Sequence, residues 1–265
     1  VDGCVSEPVQ TEVMITETPQ IEANNDSPNC EGFEVNFTGL SFTGGTTVVY
    51  AWTGPNGFTS NEQNPTIIGV TTANSGTYTL VVTVDDCPSE PYDTEVIITP
   101  QPVALADNDS PNCEGLSVSL FGESDLTGTT ITYEWTGPSG FTSNEQNPTI
   151  DAITTNQAGT YELIVTVDGC VAETVQTEIY VNSIPVASAN NDSPVCTNGE
   201  VILTGTVDIG GNDIQYEWIN DNGTVIGNLP TLTLNDVTAS GFYSLIVTVD
   251  GCPSEATITE VIILD

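Results

Sequence analysis

Residues 50–67 read YAWTGPNGFTSNEQNPTI, and residues 133–150 read YEWTGPSGFTSNEQNPTI. The two stretches agree at 16 of 18 positions and lie 83 residues apart. A third copy is looser. Tyr216-Glu217-Trp218 keeps the aromatic pair, but Ile219-Asn220-Asp221-Asn222-Gly223 follows it. Outward from the tryptophans, other residues keep the same step. Cys30, Cys113 and Cys196 are 83 and 83 residues apart, and Cys4, Cys87, Cys170 and Cys252 are 83, 83 and 82 apart. A fixed period of this length marks an array of small domains and not one large globule. Catalytic duties are seldom tripled along a chain, whereas length and valency are built this way. The period therefore points to a structural or adhesive role.

Within each repeat the pattern is β. Tyr78, Leu80, Val82 and Val84 alternate with Thr77, Thr79, Val81 and Thr83, and the series recurs at Tyr161 and Tyr243. Alternation with a period of two reads as a half-buried strand. Asp168-Gly169 and Asp250-Gly251 then supply residues for a tight hairpin turn with positive φ. Asp85-Asp86 is a poorer version of it. Return strands are expected over 95–99, 178–181 and 260–264. No run has helical spacing. The fold class is all-β, a tandem array of small sandwiches, each large enough for one core. The repeats divide the chain into a remnant of a preceding repeat at 1–18 and full repeats at 19–101, 102–184 and 185–265. The start at Val1-Asp2-Gly3-Cys4 matches the middle of a repeat (Val167-Asp168-Gly169-Cys170), so the chain is expected to be a piece of a longer polypeptide.

Two features narrow the sandwich. Trp52, Trp135 and Trp218 sit on an early strand, and Tyr78, Tyr161 and Tyr243 open a late one after Gly76-Thr77, Gly159-Thr160 and Gly241-Phe242. Together they resemble the core tryptophan and tyrosine corner of immunoglobulin-like domains. Antibody-type domains carry a cysteine two residues after that tyrosine. Here Leu80, Leu163 and Leu245 stand there, so any bridge lies elsewhere. The wider combination, Tyr-Xaa-Trp-Thr-Gly-Pro with Gly-Thr-Tyr and Val-Asp-Gly-Cys, resembles the Ig-like and PKD-like repeats of giant surface proteins of Bacteroidota. The likeness runs along essentially the whole chain. It implies export by the type IX system and a place in adhesion, gliding or surface filaments, including grappling-hook-like filaments.

Lys, Arg and His are absent against 37 Asp plus Glu, a formal charge of −37. Phosphate recognition relies on Lys and Arg, so nucleic acid is excluded as a partner. No apolar run approaches membrane-spanning length, so this segment does not insert in a membrane. Catalysis through His or Lys is excluded outright. Carboxylate pairs among so many acids would arise by chance, so no enzyme activity is expected. The expected partners are other repeats of the same polypeptide and identical chains in a filament or bundle, outside the cell or at its surface. A module gripping a glycan or a cationic partner is the competing reading. Phe58 and Phe141 are its aromatic candidates, although a packing role suits one Phe per repeat better.

The cysteines point to an oxidising compartment. Equal separations of 57, 57 and 56 residues suggest Cys30–Cys87, Cys113–Cys170 and Cys196–Cys252, one bridge at the end of each domain. The partner of Cys4 would then lie outside the chain. At the junctions stand Asn24-Asn25-Asp26-Ser27-Pro28, Asp107-Asn108-Asp109-Ser110-Pro111 and Asn190-Asn191-Asp192-Ser193-Pro194. Asp26, Asp107, Asp109 and Asp192 are hard oxygen ligands of the kind that hold Ca²⁺. The same residues also build Asx turns leading into a strand. Pro19, Pro102 and Pro185, at equivalent positions, stiffen the connections.

Overall fold

The structure, a computed structural model of residues 1–265, describes every residue except Val1, Cys4, Met14, Thr16 and Asp265. The first full repeat contributes ten strands: β1 (Ile21–Asn25), β2 (Asn29–Cys30), β3 (Glu34–Ser41), β4 (Val48–Gly54), β5 (Phe58–Ser60), β6 (Thr66–Ile68), β7 (Gly76–Val84), β8 (Cys87–Pro88), β9 (Tyr92–Val96) and β10 (Ile98–Thr99). One sheet runs β1-β3-β6. The other runs β5-β4-β7-β8, with β9 also on β7, and β2 pairs in parallel with β10. The same order recurs in the second and third repeats. The only helices among the described residues are short 3-10 turns.

The core follows from the alternation. Tyr78, Leu80, Val82 and Val84 of β7 face inward, meeting Val35 and Phe37 of β3, Ala23 of β1 and Trp52 of β4. These residues come from both sheets, so the two sheets enclose one core. Leu80, Leu163 and Leu245, at the position antibody domains give to cysteine, are all buried. The architecture is a tandem of immunoglobulin-like sandwiches.

The 50–67 stretch explains itself. Trp52 Nε1–H donates to the Gln63 carbonyl (3.3 Å), and Gln63 Nε2 donates to the Gly39 carbonyl (2.8 Å). Gly39 N–H donates to Asn64 Oδ1, and Phe37 N–H to the Pro65 carbonyl. The Glu-Gln-Asn-Pro segment thus fastens the tryptophan to β3. Trp135 and Gln146 repeat the arrangement. Phe58 packs edge-on against Tyr78 and is also stacked on Phe37, which matches the packing role expected of it. Phe141 meets Tyr161 in the same way.

The hairpins hold the expected turn. Asp168 and Gly169 have φ of 47° and 88°, and Asp250 and Gly251 have 47° and 84°. Asp85 and Asp86 adopt the same turn without a glycine. The return strand begins earlier than expected and is split. β9 runs antiparallel to β7 from Tyr92, then the chain shifts at Ile97 so that β10 lies beside β2. Hydroxyls hold the shift: Ile97 N–H donates to Ser27 Oγ and Ile98 N–H to Ser75 Oγ.

None of the described residues in 1–18 is in a strand. Residues 9–13 sit one period before β9, and the counterpart of β7 would precede residue 1. Without that neighbour, Val5, Val9 and Val13 stay exposed. The contacts group the chain into two compact units. One comprises 1–103 with 126–131 and 166–172; the other comprises 104–125, 132–165 and 173–265. The first unit thus includes a loop and a hairpin of the second repeat.

Candidate functional site

The disulfides correct the expected pairing. Cys30 is bridged to Cys170 and Cys113 to Cys252, each with Cα atoms 5.6 Å apart. Cys87 and Cys196 carry free thiols. Each bridge therefore runs from the first cysteine of one repeat to the second cysteine of the next. The pairs Cys30–Cys87, Cys113–Cys170 and Cys196–Cys252 are not formed, and there is no bridge closed within one domain. Cys4 lies outside the described residues.

The physical reason lies in β7. Cys30 sits beside β10, past the end of β9 that pairs with Gly76. Cys87 sits in the hairpin at the other end, opposite Val84. The nine residues of β7 between those ends span roughly 30 Å at ~3.3 Å each, against a limit of ~7 Å between bridged Cα atoms. Within one repeat the two cysteines cannot meet. Across a joint, the base of one sandwich meets the hairpin of the next.

Both halves of each joint are built from hydrogen-bonded backbone. On the hairpin side an aspartate ties the turn to a neighbouring loop. The Asp168 carboxylate accepts from Thr129 and Thr130 N–H, and Asp250 accepts from Asn212 and Asp213 N–H. On the base side, Glu31 N–H donates to the Thr99 carbonyl and Glu114 N–H to that of Asn182. Direct contacts cross each joint. Gln101 Nε2 donates to the Val171 carbonyl (3.1 Å), and Asn182 Nδ2 to the Asp250 carbonyl (3.2 Å). Cys170 and Cys252 are 2% and 0% exposed. Pro19, Pro102 and Pro185 are buried as well.

The acidic turns sit beside these bases. Asn25 Oδ1 accepts from Ser27 N–H, Asn108 Oδ1 from Ser110 N–H and Asn191 Oδ1 from Ser193 N–H, each an Asx turn. A cis peptide follows at Ser27–Pro28, Ser110–Pro111 and Ser193–Pro194. Asp26 Oδ1 accepts from Asn36 N–H and Asn29 Nδ2, and Oδ2 from Asn36 Nδ2. Asp109 accepts from Ser119 N–H, Asp192 from Ile202 N–H, and Asp107 from Asn108 N–H. Partial burial pushes the Asp26 carboxyl up, but the donors from Asn36 and Asn29 outweigh it and hold the group below the usual carboxylate range. No three His, Cys, Asp or Glu side chains are grouped to hold a metal among the described residues.

The tryptophans and two of the tyrosines stand where the sequence placed them. Trp52, Trp135, Trp218, Tyr78 and Tyr161 are buried. Tyr78 Oη–H donates to the Asn74 carbonyl and Tyr161 Oη–H to that of Gln157, which is the tyrosine-corner bond. Tyr243 packs only at the margin of its core. Burial raises its phenol pKa, and the nearby Asp221 charge raises it further.

No family model and no curated protein matches this sequence. Among solved structures, the chain is similar to the three N-terminal domains of the highly immunogenic outer capsid protein of bacteriophage RB49, at TM-score 0.46 and 17% identity over 93% of this chain and 98% of that one. It is also similar to domains A168–A170 of titin, at TM-score 0.39 and 12% identity over 93% and 98%. A third is the Dpr2 Ig1–Ig2 complex with DIP-Theta Ig1–Ig3, at TM-score 0.37 and 15% identity over 94% and 100%.

Proposed function

We propose that the chain is a structural segment, stalk or filament, of a large extracellular repeat protein that serves adhesion or appendage assembly and does no catalysis. The observation that carries this reading is the direction of the disulfides, from each repeat to the next. A bridge closed within a domain protects that domain. A bridge across a joint makes neighbours continuous at two covalent points, the backbone and the S–S bond, and so restricts hinging. This device suits a load-bearing array. It also calls for an oxidising compartment, where such bonds persist. The polar side chains at the joints are engaged in turns and caps, which supports architecture over ligand capture. The resemblance to Bacteroidota surface repeats agrees with this placement. The test is immunogold labelling of the source cells with an antibody against this segment. Labels recurring along surface appendages are expected. Labels confined to the cytoplasm, or selective micromolar glycan binding by the isolated chain, would overturn the reading.

A further inference from the structure

Cys87 and Cys196 occupy the two halves of a bridge that the chain itself forms twice. Cys87 stands opposite Val84 in its hairpin, as Cys252 stands opposite Val249 and Cys170 opposite Val167. Its cap is already in place without a bridging partner: the Asp85 carboxylate accepts from Thr46 and Thr47 N–H, as Asp168 and Asp250 do in their joints. At the other end Cys196 pairs with Leu264 in a parallel ladder, as Cys30 pairs with Thr99 and Cys113 with Asn182. Thr197 N–H donates to the Leu264 carbonyl, repeating the base of the other two joints. Exposure separates used halves from unused ones. The hairpin cysteines Cys170 and Cys252 are buried where a bridge forms, whereas Cys87 is half-buried and Cys196 exposed.

We infer that these two ends are complementary docking surfaces, and that the Cys196 base of one copy of this chain accepts the Cys87 hairpin of a second copy, head to tail. The inference rests on the structural reading above and adds to it the partner and the contact. Every group needed on either side exists on the page in a bridged form, so the joint requires no new surface. Its closure is thiol–disulfide exchange. One thiolate attacks a small disulfide such as oxidised glutathione and releases one glutathione thiolate. The second cysteine displaces the other glutathione, leaving the Cys196–Cys87 bond and two reduced glutathione molecules. The ends carry acids and no cations, so docking needs salt to screen them.

The experiment uses the 265-residue chain with Cys4→Ser, in a glutathione redox buffer at about 1 M salt, where the screening length is ~3 Å. Two further variants add Cys87→Ser or Cys196→Ser, and mass spectrometry after cleavage at acidic residues confirms that both internal bridges persist. Each variant alone is expected to stay monomeric. Their mixture should give a disulfide dimer, at least about tenfold above either alone because docking raises the local thiol concentration. The linked peptide should join Cys196 of one to Cys87 of the other, and the parent should form a ladder. Dimers of either variant alone at the level of the mixture, or glutathione adducts in place of the mixed dimer, would overturn the joint. Appendage labelling would be unaffected by that failure, so the two readings fail separately.

Discussion

At the residue scale, Gly54 shows why the repeated motif reads Trp-Thr-Gly-Pro. A Cβ at Gly54 would lie 2.3 Å from Tyr78 Cδ1, and one at Gly137 would lie 2.4 Å from Tyr161 Cδ1. The glycine lets the tyrosine ring lie flat on β4. In the third repeat the equivalent residue is Asn220, whose Oδ1 accepts from Asn222 and Thr224 N–H, and there Tyr243 is only half-buried. Glycine and buried tyrosine therefore go together, and their loss goes together. Gly54→Ala should cost about 1–3 kcal/mol by overpacking, read as a lower midpoint in urea. An unchanged midpoint would show that the ring moves freely. Asp26 gives a pH test. Its folded pKa lies below the unfolded value of ~3.9, so its charge stabilises the fold above that value. The stabilisation fades as pH falls through the folded pKa. Asp26→Asn should lower the melting temperature at pH 7, and the gap from the parent should close in acid below about pH 3. A gap that stays constant would assign the effect to packing.

At the element scale, the hairpin and the strands were legible because their signals are local. Alternation fixed β7, and Asp-Gly pairs marked the turns. Asp85-Asp86 read as a poorer turn, and the structure gives the reason: Asp86 holds φ of 64°, where glycine is at ease. Asp86→Gly should stabilise the first repeat by roughly 0.5–1 kcal/mol, because the Asp85 cap is untouched. A thermal melt that shifts downward would show that the Asp86 side chain contributes something glycine cannot. The disulfides were not legible, because spacing in a periodic sequence is ambiguous. Separations of 140 and 139 residues are as regular as 57 and 56, being one period longer. What distinguishes them is the strand between the two cysteines. Reading β7 as nine residues long already places Cys30 and Cys87 at opposite ends, and that length test was available in the sequence. The break at Ile97 was less accessible, since it depends on the hydroxyls of Ser27 and Ser75, far off in sequence. The acids at the junctions admitted two readings, and only their donors, such as Asn36 N–H to Asp26, select the turn.

At the scale of the whole molecule, the 37 carboxylates have no Lys, Arg or His to pair with. Many are engaged locally as acceptors, as Asp85, Asp168 and Asp250 are by backbone N–H groups. Such bonds stabilise individual turns but leave the net charge intact. The folded chain holds that charge closer together than the unfolded chain does, so mutual repulsion opposes folding. Screening relieves it. Between about 10 mM and 1 M salt the screening length falls from ~30 Å to ~3 Å, which removes repulsion beyond nearest neighbours. The melting temperature should therefore rise steadily with sodium chloride, and sodium chloride with a chelator should act equally well if screening and not a bound divalent ion is responsible. Proteins stabilised by surface ion pairs lose those pairs to salt, and this chain has none to lose. A melting temperature that is flat in salt would mean that the carboxylates are already neutralised by their local donors. A rise produced by Ca²⁺ at millimolar levels and abolished by chelator would instead restore a specific ion at the junctions, with Asp26, Asp109 and Asp192 as the first residues to substitute.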